Sequence, residues 1–480
     1  MELNLIPRPQ RVTFGTGIAR DVTKKRIDPA LATESYLLEA SAEGISLTAG
    51  SAQGLVWAEN TLAQLRRQFP AGIPCLTIED APAYPFRSFH IDSARHMRSI
   101  DELKTIVDAA AFFKLNTLHW HFSDDQGWRI ECKAFPRLHE LGAYRNGDHF
   151  GTYRSDAREG GYYTQDEVRD FVAYCAGKGI QVVPEIDLPG HVTAILHAYP
   201  HLSCRGEPIE VITRAAITTE ILCAGKEEVY SFLETLLEEM LELFPAPWFH
   251  IGGDEAPKTR WAQCPHCQAK LAELGLTSHR QLQGYMSSRI VEFLRKHGRR
   301  AIMWNDGAYG GGIDPSVVLQ VWYPDRDGAL EKHVSQGGQL ILSPCEATYC
   351  DYPYGEHPMK GIHQLDLHPD YVNRDTVIGG ECLTWSEFIR SAQRLQELAF
   401  PRFTALAEAL WSGENRGAYD GFLARLQALF PLFDEMGIHA TPAEGWDPEP
   451  EEARRQSREF RLQFEAESEH EDYEALVAAF

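Results

Sequence analysis

The fold is decided by residues 86–122, which read FRSFHIDSARHMRSIDELKTIVDAAAFFKLNTLHWHF. The apolar run at 86–92 predicts a strand, the spacing at 100–113 predicts an amphipathic helix, and residues 117–122 predict a second strand. Two strands that are joined through a helix form a parallel pair with a right-handed crossover. The unit is therefore the building block of an α/β protein.

The same alternation of short apolar runs and helical patterns continues to about residue 440. It predicts eight strands, at residues 86–92, 117–122, 180–185, 248–253, 301–304, 317–322, 340–342 and 377–383. Eight such strand–helix units close into a TIM barrel. Because the span exceeds the roughly 250 residues typical of that fold, we expect long loops after the second and third strands, at 132–161 and 190–219.

Three regions are predicted along the chain. Residues 1–83 combine short β-like runs with one helical stretch at 54–67, and we expect them to form a small α+β domain. Residues 84–440 are expected to form the (β/α)8 barrel. Residues 441–480 are acidic and weakly periodic, which predicts a solvated helical tail.

The composition excludes several classes of partner. The 480 residues contain 46 Lys and Arg against 69 Asp and Glu, which gives a formal net charge of −23. Nucleic acids and anionic membranes select for basic surfaces, so we expect neither as a partner.

No apolar run approaches the roughly 18 residues of a membrane span, and no signal-peptide pattern is visible. A cytoplasmic location is expected, with secretion of a trimmed form left open.

Carboxylates and tryptophans stand at the predicted C-terminal strand ends, where the active face of a TIM barrel is built. Carboxylates and an arginine hydrogen-bond hydroxyl groups, and indole faces pack on the C–H faces of a pyranose ring. This mixture is typical of a sugar-binding site. The candidate site residues are Arg95, Asp124, His191, Asp254, Glu255, Trp304, Trp322, Tyr349, Asp351, Trp385 and Glu387.

Among these residues, the dipeptide Asp254-Glu255 is the most specific indication of a catalytic site. Neighbouring residues of a strand point to opposite faces, so two adjacent carboxyls share a site only where the strand stops and the chain turns. Gly252 and Gly253 come directly before them and permit unusual dihedral angles at that point. A carboxyl beside a second carboxylate in a partly apolar pocket has a raised pKa, which suits a general acid near neutral pH.

Five motifs follow one another along the chain: DSARH at 92–96, HWHFSDDQGWR at 119–129, PEIDLPGH at 184–191, HIGGDE at 250–255 and GGECLTWSE at 379–387. They resemble those of the β-N-acetylhexosaminidases of glycoside hydrolase family 20, and the resemblance extends over almost the whole chain. It implies an exo-acting, retaining enzyme that removes terminal, non-reducing GlcNAc or GalNAc by substrate-assisted catalysis. In that mechanism the 2-acetamido oxygen of the sugar attacks C1 and forms an oxazolinium ion. No cofactor or metal is implied.

The resemblance also implies a role for each site residue. Glu255 is expected to be the general acid and then the base for water. Asp254 is expected to orient the acetamido N–H and to stabilise the positive charge that develops there, and Tyr349 to hydrogen-bond the acetamido oxygen. The remaining roles are pocket walls for Trp304, Trp322 and Trp385, hydroxyl binding for Arg95, Asp351 and Glu387, and a supporting relay for Asp124 and His191.

Two alternatives stay open. His119 and His121 form an H-x-H pair of the kind used by metal-dependent barrel hydrolases, although the fifth and sixth strands end in Trp304 and Trp322 rather than in further ligands. The other alternative is a sugar-binding barrel that has lost catalysis. Both acids of the pair are present, which favours the enzyme. A homodimer, in which a neighbouring subunit completes the pocket, is also left open.

Cys264-Pro265-His266-Cys267 resembles half of a zinc site or a redox pair. The sequence has no second C-x-x-C to complete a zinc site. We therefore interpret Cys264 and Cys267 as a structural thiol pair or a labile disulfide, with metal binding as the alternative.

Overall fold

The computed structural model describes residues 2–326, 328–369 and 374–468. The strands are β1 Arg11–Ala19, β2 Val22–Ile27, β3 Tyr36–Ser41, β4 Gly44–Ala49, β5 Ile73–Asp80, β6 Phe86–Asp92, β7 Thr117–His121, β8 Ser123–Asp124, β9 Gly127–Trp128, β10 Tyr144–Asp148, β11 Ser155–Gly160, β12 Gln181–Glu185, β13 Trp248–His250, β14 Arg300–Trp304, β15 Val318–Val321, β16 Gln339–Leu342 and β17 Val377–Cys382. The helices are α1 Ala52–Gln68, α2 Ile100–Phe112, α3 Arg137–Glu140, α4 Gln165–Gly177, α5 Thr193–Ala198, α6 Glu227–Leu243, α7 Thr259–Gln263, α8 Pro265–Leu274, α9 His279–Lys296, α10 Ala329–Ser335, α11 Cys345–Thr348, α12 Met359–His363, α13 Ala392–Ala399, α14 Arg402–Ser412, α15 Tyr419–Leu429, α16 Pro431–Glu435 and α17 Pro450–Ser468.

The N-terminal region is a small α+β domain. Its sheet has the order β1-β5-β3-β4-β2, and all neighbours are antiparallel except β2 and β4. Ser51 caps the start of helix α1, where its side chain accepts the Gly54 N–H. At the other end, the positive charges of Arg66 and Arg67 stabilise the last turn, where the helix dipole is negative. The domain core is formed by Leu38, Leu47, Trp57, Ala58, Leu62, Leu65 and Ile78, together with Trp411 from α14.

The predicted TIM barrel is confirmed. Eight parallel strands close in the order β12-β13-β14-β15-β16-β17-β6-β7. Each lies at a position predicted from the apolar runs. The bounds of β6 match the prediction, and those of the other seven strands differ from it by one to three residues. The largest difference is at β13, which ends at His250 because the chain turns at Gly252 and Gly253, where φ is positive.

The barrel interior has two layers. An apolar layer consists of Phe86, Val183, Ile302, Val318, Ile341 and Ile378. A buried polar layer lies between it and the site and consists of His90, His119, Glu185, His250 and Glu381. Within this layer His119 contacts Glu381 at 2.9 Å and Glu185 at 3.2 Å, and His250 contacts Glu185 at 3.0 Å. Such partners offset the cost of burying charged groups. The polar layer forms the floor on which the site is built.

Helices α2, α4 and α9 of the outer ring begin with a capping box. In this motif the cap side chain accepts the backbone N–H of the residue three positions on, whose own side chain accepts the cap N–H. The pairs are Ser99 with Glu102, Thr164 with Glu167 and Ser278 with Gln281.

A buried ion pair joins the small domain to the barrel. The Lys114 Nζ atom lies 3.0 Å from Asp80 Oδ2 and 2.9 Å from the Tyr36 hydroxyl. The same ammonium group lies 4.2 Å from the centroid of the Trp411 ring. Because a buried charge is tolerated only with such partners, this contact fixes the orientation of the two domains.

The C-terminal segment is helical over its described part but is not simply solvated, which corrects the sequence interpretation. One face of α17 packs on the barrel mouth, where Phe460 lies 4.6 Å from Tyr352 and 5.9 Å from Phe388, measured between ring centroids. Phe464 lies 5.2 Å from Phe388. Residues 469–480 of the predicted tail lie outside the described residues.

Among the described residues, no helix combines the length and the apolar character that crossing a membrane requires.

Candidate active site

One cavity of about 730 Å³ lies at the C-terminal ends of the barrel strands. All eleven residues proposed from the sequence line it. The structure therefore brings together residues that follow every strand of the barrel. Their neighbours in the lining include Gln126, Asp187, Cys345, Tyr352, Phe388, Phe460 and Phe464.

The chain turns sharply into the acid pair. Gly252 has φ +62° and Gly253 has φ +112°, and a Cβ on Gly252 would lie only 1.7 Å from Asp187 Oδ1. The same carboxylate oxygen accepts the Gly253 N–H at 3.0 Å. Glycine is therefore required at 252 both by the backbone dihedral angle and by the close approach of Asp187.

Glu255 also has positive φ, at +42°, which is uncommon for a residue with a side chain. Its N–H donates to Asp306 Oδ2 at 3.1 Å, and this bond holds the strained turn. Asp306 also accepts the Trp322 indole N–H at 2.9 Å, on its other oxygen. Asp306 thus links the Glu255 backbone to Trp322, which lines the cavity.

Asp254 is the deeper acid of the pair and is 9% exposed. Burial raises the pKa of Asp254 to about 7; His191 opposes this rise, and the Asp306 and Glu255 carboxylates add to it. The Oδ1 atom of Asp254 is buried and has no hydrogen-bond partner among the described residues. Because buried polar atoms are nearly always paired, this oxygen is suited to receive a donor from a ligand.

His191 connects the acid pair to the barrel. Its Nε2 atom lies 3.6 Å from Glu255 Oε2 and 3.8 Å from Asp254 Oδ2, and its Nδ1 atom lies 3.2 Å from Asp124 Oδ1. Burial alone would lower the pKa of His191, but the Asp124 carboxylate and its hydrogen bond raise it well above its ordinary value. The carboxylates around His191 thus favour its protonated form.

Arg95 contacts the second oxygen of the Asp124 carboxylate, whose first oxygen faces His191. Its guanidinium lies 2.7 Å from Asp124 Oδ2 and 3.6 Å from Glu387 Oε1. Its Nε atom donates to Gln126 at 2.9 Å, and the group lies 5.1 Å from the centroid of the Trp385 ring. These contacts pre-orient the arginine.

Asp351 and Glu387 lie together at one end of the cavity. Burial raises the pKa of Asp351 well above its usual range, and the nearby Glu387 carboxylate adds to the shift. Burial likewise raises the pKa of Glu387. The Oδ1 atom of Asp351 is a second buried oxygen without a hydrogen-bond partner among the described residues. This end of the cavity is equipped to bind hydroxyl groups.

The aromatic walls are fixed by hydrogen bonds. The Trp304 indole N–H donates to Glu185 at 2.8 Å. Trp304 and Trp385 lie 5.9 Å apart, and Trp322 and Tyr349 lie 6.5 Å apart, measured between ring centroids. Rings that are anchored in this way present rigid faces to a ligand.

His119 belongs to the buried polar layer, His121 is buried beside it, and neither lines the cavity. His119 contacts Glu381 at 2.9 Å and Glu185 at 3.2 Å, and His121 contacts both Glu185 and Asp124. Burial opposes protonation, but the carboxylates raise the pKa of His119 to about 10 and that of His121 to about 9. Both histidines contact protein carboxylates and neither reaches the cavity, so the arrangement favours a structural role for the pair.

Two further carboxyls contact the backbone of the acid-pair turn, Asp187 at Gly253 and Asp306 at Glu255, and neither is among the residues proposed from the sequence. Burial raises the pKa of Asp187 well above its usual range, and the neighbouring Asp254 carboxylate adds to this shift. Burial raises the pKa of Asp306 to about 6. Each stands two residues after a predicted strand end, at Glu185 and Trp304, and that placement was the available signal.

Comparisons with known proteins agree with this geometry. The family model described as "Glycosyl hydrolase family 20, catalytic domain" matches residues 84–414, and the model "Glycosyl hydrolase family 20, domain 2" matches residues 15–81. A β-hexosaminidase of Porphyromonas gingivalis is 33% identical over 434 residues, which cover 85% of this chain and 55% of that protein. The chain thus spans about half the length of this curated relative.

Solved structures are also similar to the chain. A β-N-acetylhexosaminidase superposes with a TM-score of 0.83 at 31% identity, covering 93% of this chain and 99% of that one. The exo β-N-acetylglucosaminidase of Vibrio harveyi, in complex with N-acetylglucosamine, superposes with a TM-score of 0.79 at 28% identity, covering 92% and 78%.

Proposed function

The chain belongs to glycosyl hydrolase family 20, and from this premise we propose that it is an exo-acting, retaining β-N-acetylhexosaminidase. Its substrates are glycosides with a terminal, non-reducing GlcNAc or GalNAc. The names of the relatives and the N-acetylglucosamine complex of the Vibrio harveyi enzyme support this substrate class.

The observation that carries the proposal is the placement of Asp254 and Glu255. Their nearest carboxylate oxygens and the shared His191 nitrogen lie within 4.8 Å of one another. Inverting glycosidases keep their two carboxyls about 6.5–9.5 Å apart to hold a water molecule between them. The close pair leaves no room for such a water, which argues against inversion. In the proposed mechanism the nucleophile is the acetamido oxygen of the sugar and not a second carboxylate.

The different surroundings of the two acids support a division of roles. Glu255 is the more exposed, with 25% of its side chain accessible against 12% for Asp254. In the proposal Glu255 donates a proton to the leaving oxygen, and Asp254 holds the acetamido N–H deep in the pocket. Tyr349, which lies in the same aromatic cluster as Trp304, donates to the acetamido oxygen.

In the proposed first step the acetamido oxygen forms a bond to C1 while the bond from C1 to the leaving oxygen breaks. Glu255 gives its proton to that oxygen, and the Asp254 carboxylate stabilises the positive oxazolinium ring. In the second step Glu255 takes a proton from water, the water oxygen bonds to C1, and the bond from C1 to the acetamido oxygen breaks. Two displacements at C1 give net retention.

The end of the cavity formed by Arg95, Asp351 and Glu387 supports exo action. Buried charged and acidic groups recognise hydroxyls by hydrogen bonds, and the unpaired Asp351 oxygen is available for one. Helix α17 packs beside this end through Phe460 and Phe464. In the proposal this end of the cavity accepts a terminal sugar and excludes a chain that continues beyond it.

The proposal is tested with 4-nitrophenyl N-acetyl-β-glucosaminide and its GalNAc counterpart. We expect hydrolysis of both, with the β-anomer as the first product by NMR. The matched control is 4-nitrophenyl β-glucoside, which lacks the acetamido nucleophile and is expected to resist hydrolysis. Absence of turnover between about pH 4 and 8 with retained sugar binding would instead support the inactive barrel. Comparable turnover of the glucoside would contradict substrate assistance.

A further inference from the structure

Four cysteines from three segments of the chain meet in one cluster, and none of them lines the active-site cavity. The Cys223 sulfur lies 3.7 Å from the Cys264 sulfur and 3.6 Å from the Cys267 sulfur. The Cys204 sulfur lies 3.9 Å from that of Cys267. All four are free thiols, so Cys264 and Cys267 form no disulfide in this structure and belong to a larger thiol cluster.

The sulfur spacing matches a metal tetrahedron. Zinc binds thiolates at about 2.3 Å, which places neighbouring sulfurs of a tetrahedral site about 3.8 Å apart. A disulfide needs about 2.05 Å. We propose that Cys204, Cys223, Cys264 and Cys267 bind one zinc ion in a closed tetrathiolate site.

The site has two halves, Cys264 with Cys267 and Cys204 with Cys223, and the backbone positions the cysteines of each half. Cys264 precedes helix α8 as its cap residue, and Cys267 lies in the first turn. This is the short C-x-x-C spacing common in zinc sites, and the helix N-terminus favours the negative charge of thiolates. Cys204 and Cys223 are separated by a long loop, whose ends are joined by a bridge between Ser203 and Leu222.

The two halves are packed tightly against each other. A Cβ added to Gly225 would lie 2.2 Å from the backbone carbon of His266, so the loop that follows Cys223 can rest on the start of α8 only with glycine at this position. The Trp261 indole N–H donates to the Leu222 carbonyl at 2.8 Å. Such contacts fix the four sulfurs relative to one another before a metal binds.

The burial of the ligands also fits a structural site. Cys223, Cys264 and Cys267 are 0%, 3% and 0% exposed, and Cys204 is half-buried. Three enclosed sulfurs and one accessible sulfur leave a path by which the ion can enter. Four protein ligands leave no coordination position for water or substrate, so the ion is structural.

The cysteine cluster is connected to the active-site cavity through the chain segments that carry it. Residues 215–217 of the loop between Cys204 and Cys223 line the cavity, and Cys264 follows Glu255 by nine positions in the sequence. The zinc ion ties both segments together. Loss of the ion is expected to loosen the loop and to lower Tm.

The test is the metal content of the full chain, expressed with zinc in the medium and purified under reducing conditions without chelators. Inductively coupled plasma mass spectrometry is expected to find about one zinc per chain. Replacement of zinc by Co2+ is expected to produce the visible absorption of a tetrahedral tetrathiolate complex. The prediction concerns bound metal alone, so it stands or fails independently of any hydrolase activity.

The matched variants are Cys204→Ala, Cys223→Ala and Cys264→Ala, with Cys175→Ala as a control at a buried cysteine in α4. We expect the first three to lose zinc and the control to keep it. The proposal is overturned if the wild-type chain binds no zinc as purified and after zinc is added to the reduced protein. Two disulfides among the four cysteines, iron in place of zinc, or equal zinc loss in the control would also overturn it.

Discussion

The Nε2 atom of His191 lies 3.6 Å from a carboxylate oxygen of Glu255, and both residues have positive φ, at +53° and +42°. Non-glycine residues in this region are uncommon and persist where the surrounding structure holds them. The turns after β12 and β13 each contain one such residue, and they bring the His191 imidazole next to the Glu255 carboxyl. The strain therefore coincides with the candidate acid–base centre.

Replacing Glu255 with Gln is expected to remove proton donation while keeping the shape of the side chain. General acid catalysis contributes about 100- to 10,000-fold, and a poor leaving group depends on it most. We expect a loss of that size in kcat/KM for the disaccharide of GlcNAc and a much smaller loss for the 4-nitrophenyl glycoside. Steady-state kinetics on both substrates measure the difference. Equal losses would contradict the acid role.

Replacing Asp254 with Asn is expected to lower kcat by about 100- to 1,000-fold, because the variant loses the carboxylate that stabilises developing positive charge. KM should change much less, because the amide still fits the pocket and can bond to the acetamido group. The measurement is kcat and KM on the 4-nitrophenyl substrate. A near-normal kcat would show that Asp254 does not face the reacting group.

The same substitution is expected to stabilise the fold at higher pH. Burial raises the folded-state pKa of Asp254 to about 7, against about 3.9 in the unfolded chain. Between these values the folded state binds more protons, so its stability falls as pH rises. Asp254→Asn removes this dependence, and its Tm advantage over wild type should be larger at about pH 8 than at about pH 5.

Differential scanning fluorimetry at both pH values measures this effect. Asp170→Asn is the control, because Asp170 is an exposed residue of α4. Its Tm difference from wild type should be the same at both pH values. A Tm advantage of Asp254→Asn that is independent of pH would contradict the raised pKa.

The barrel could be predicted because its strands are buried on both faces and read as short apolar runs between helical patterns. The site residues could be placed because barrel strands end at one rim. Asp187 was not selected, because its importance depends on the 1.7 Å approach that a Gly252 Cβ would make to it, and that distance exists only in three dimensions.

The cysteine cluster and the packing of α17 could not be read from the sequence for a similar reason. Cys223 lies 41 residues before Cys264, and only the folded loops bring the two sulfurs together. Phe460 and Phe464 are spaced as one helical face, but they stand in an acidic stretch, and their partners Tyr352 and Phe388 lie in distant loops. Long-range contacts of this kind leave no local pattern.

Gly252→Ala is expected to lower kcat by about 100-fold, because the new Cβ collides with Asp187 and displaces the acid pair. Gly275→Ala is the matched control. Gly275 has φ +64°, close to the +62° of Gly252, but a Cβ there meets nothing within 4 Å. The control carries the same backbone strain, so it should lose Tm but keep kcat. An equal loss of kcat in both variants would assign the effect to strain rather than to the collision.

Phe464→Ala is expected to raise KM by a few-fold to about ten-fold, because the ring packs on Phe388, which follows Glu387, a residue proposed to bind sugar hydroxyls. The contact lies at the end of the cavity that is assigned to the terminal sugar. The rise should therefore be equal for the 4-nitrophenyl glycoside and the GlcNAc disaccharide, with kcat unchanged. Leu462→Ala is the control on the same helix, since Leu462 is 49% exposed and Phe464 45%, but Leu462 does not line the cavity. A rise in KM confined to the disaccharide would place α17 on the leaving-group side instead.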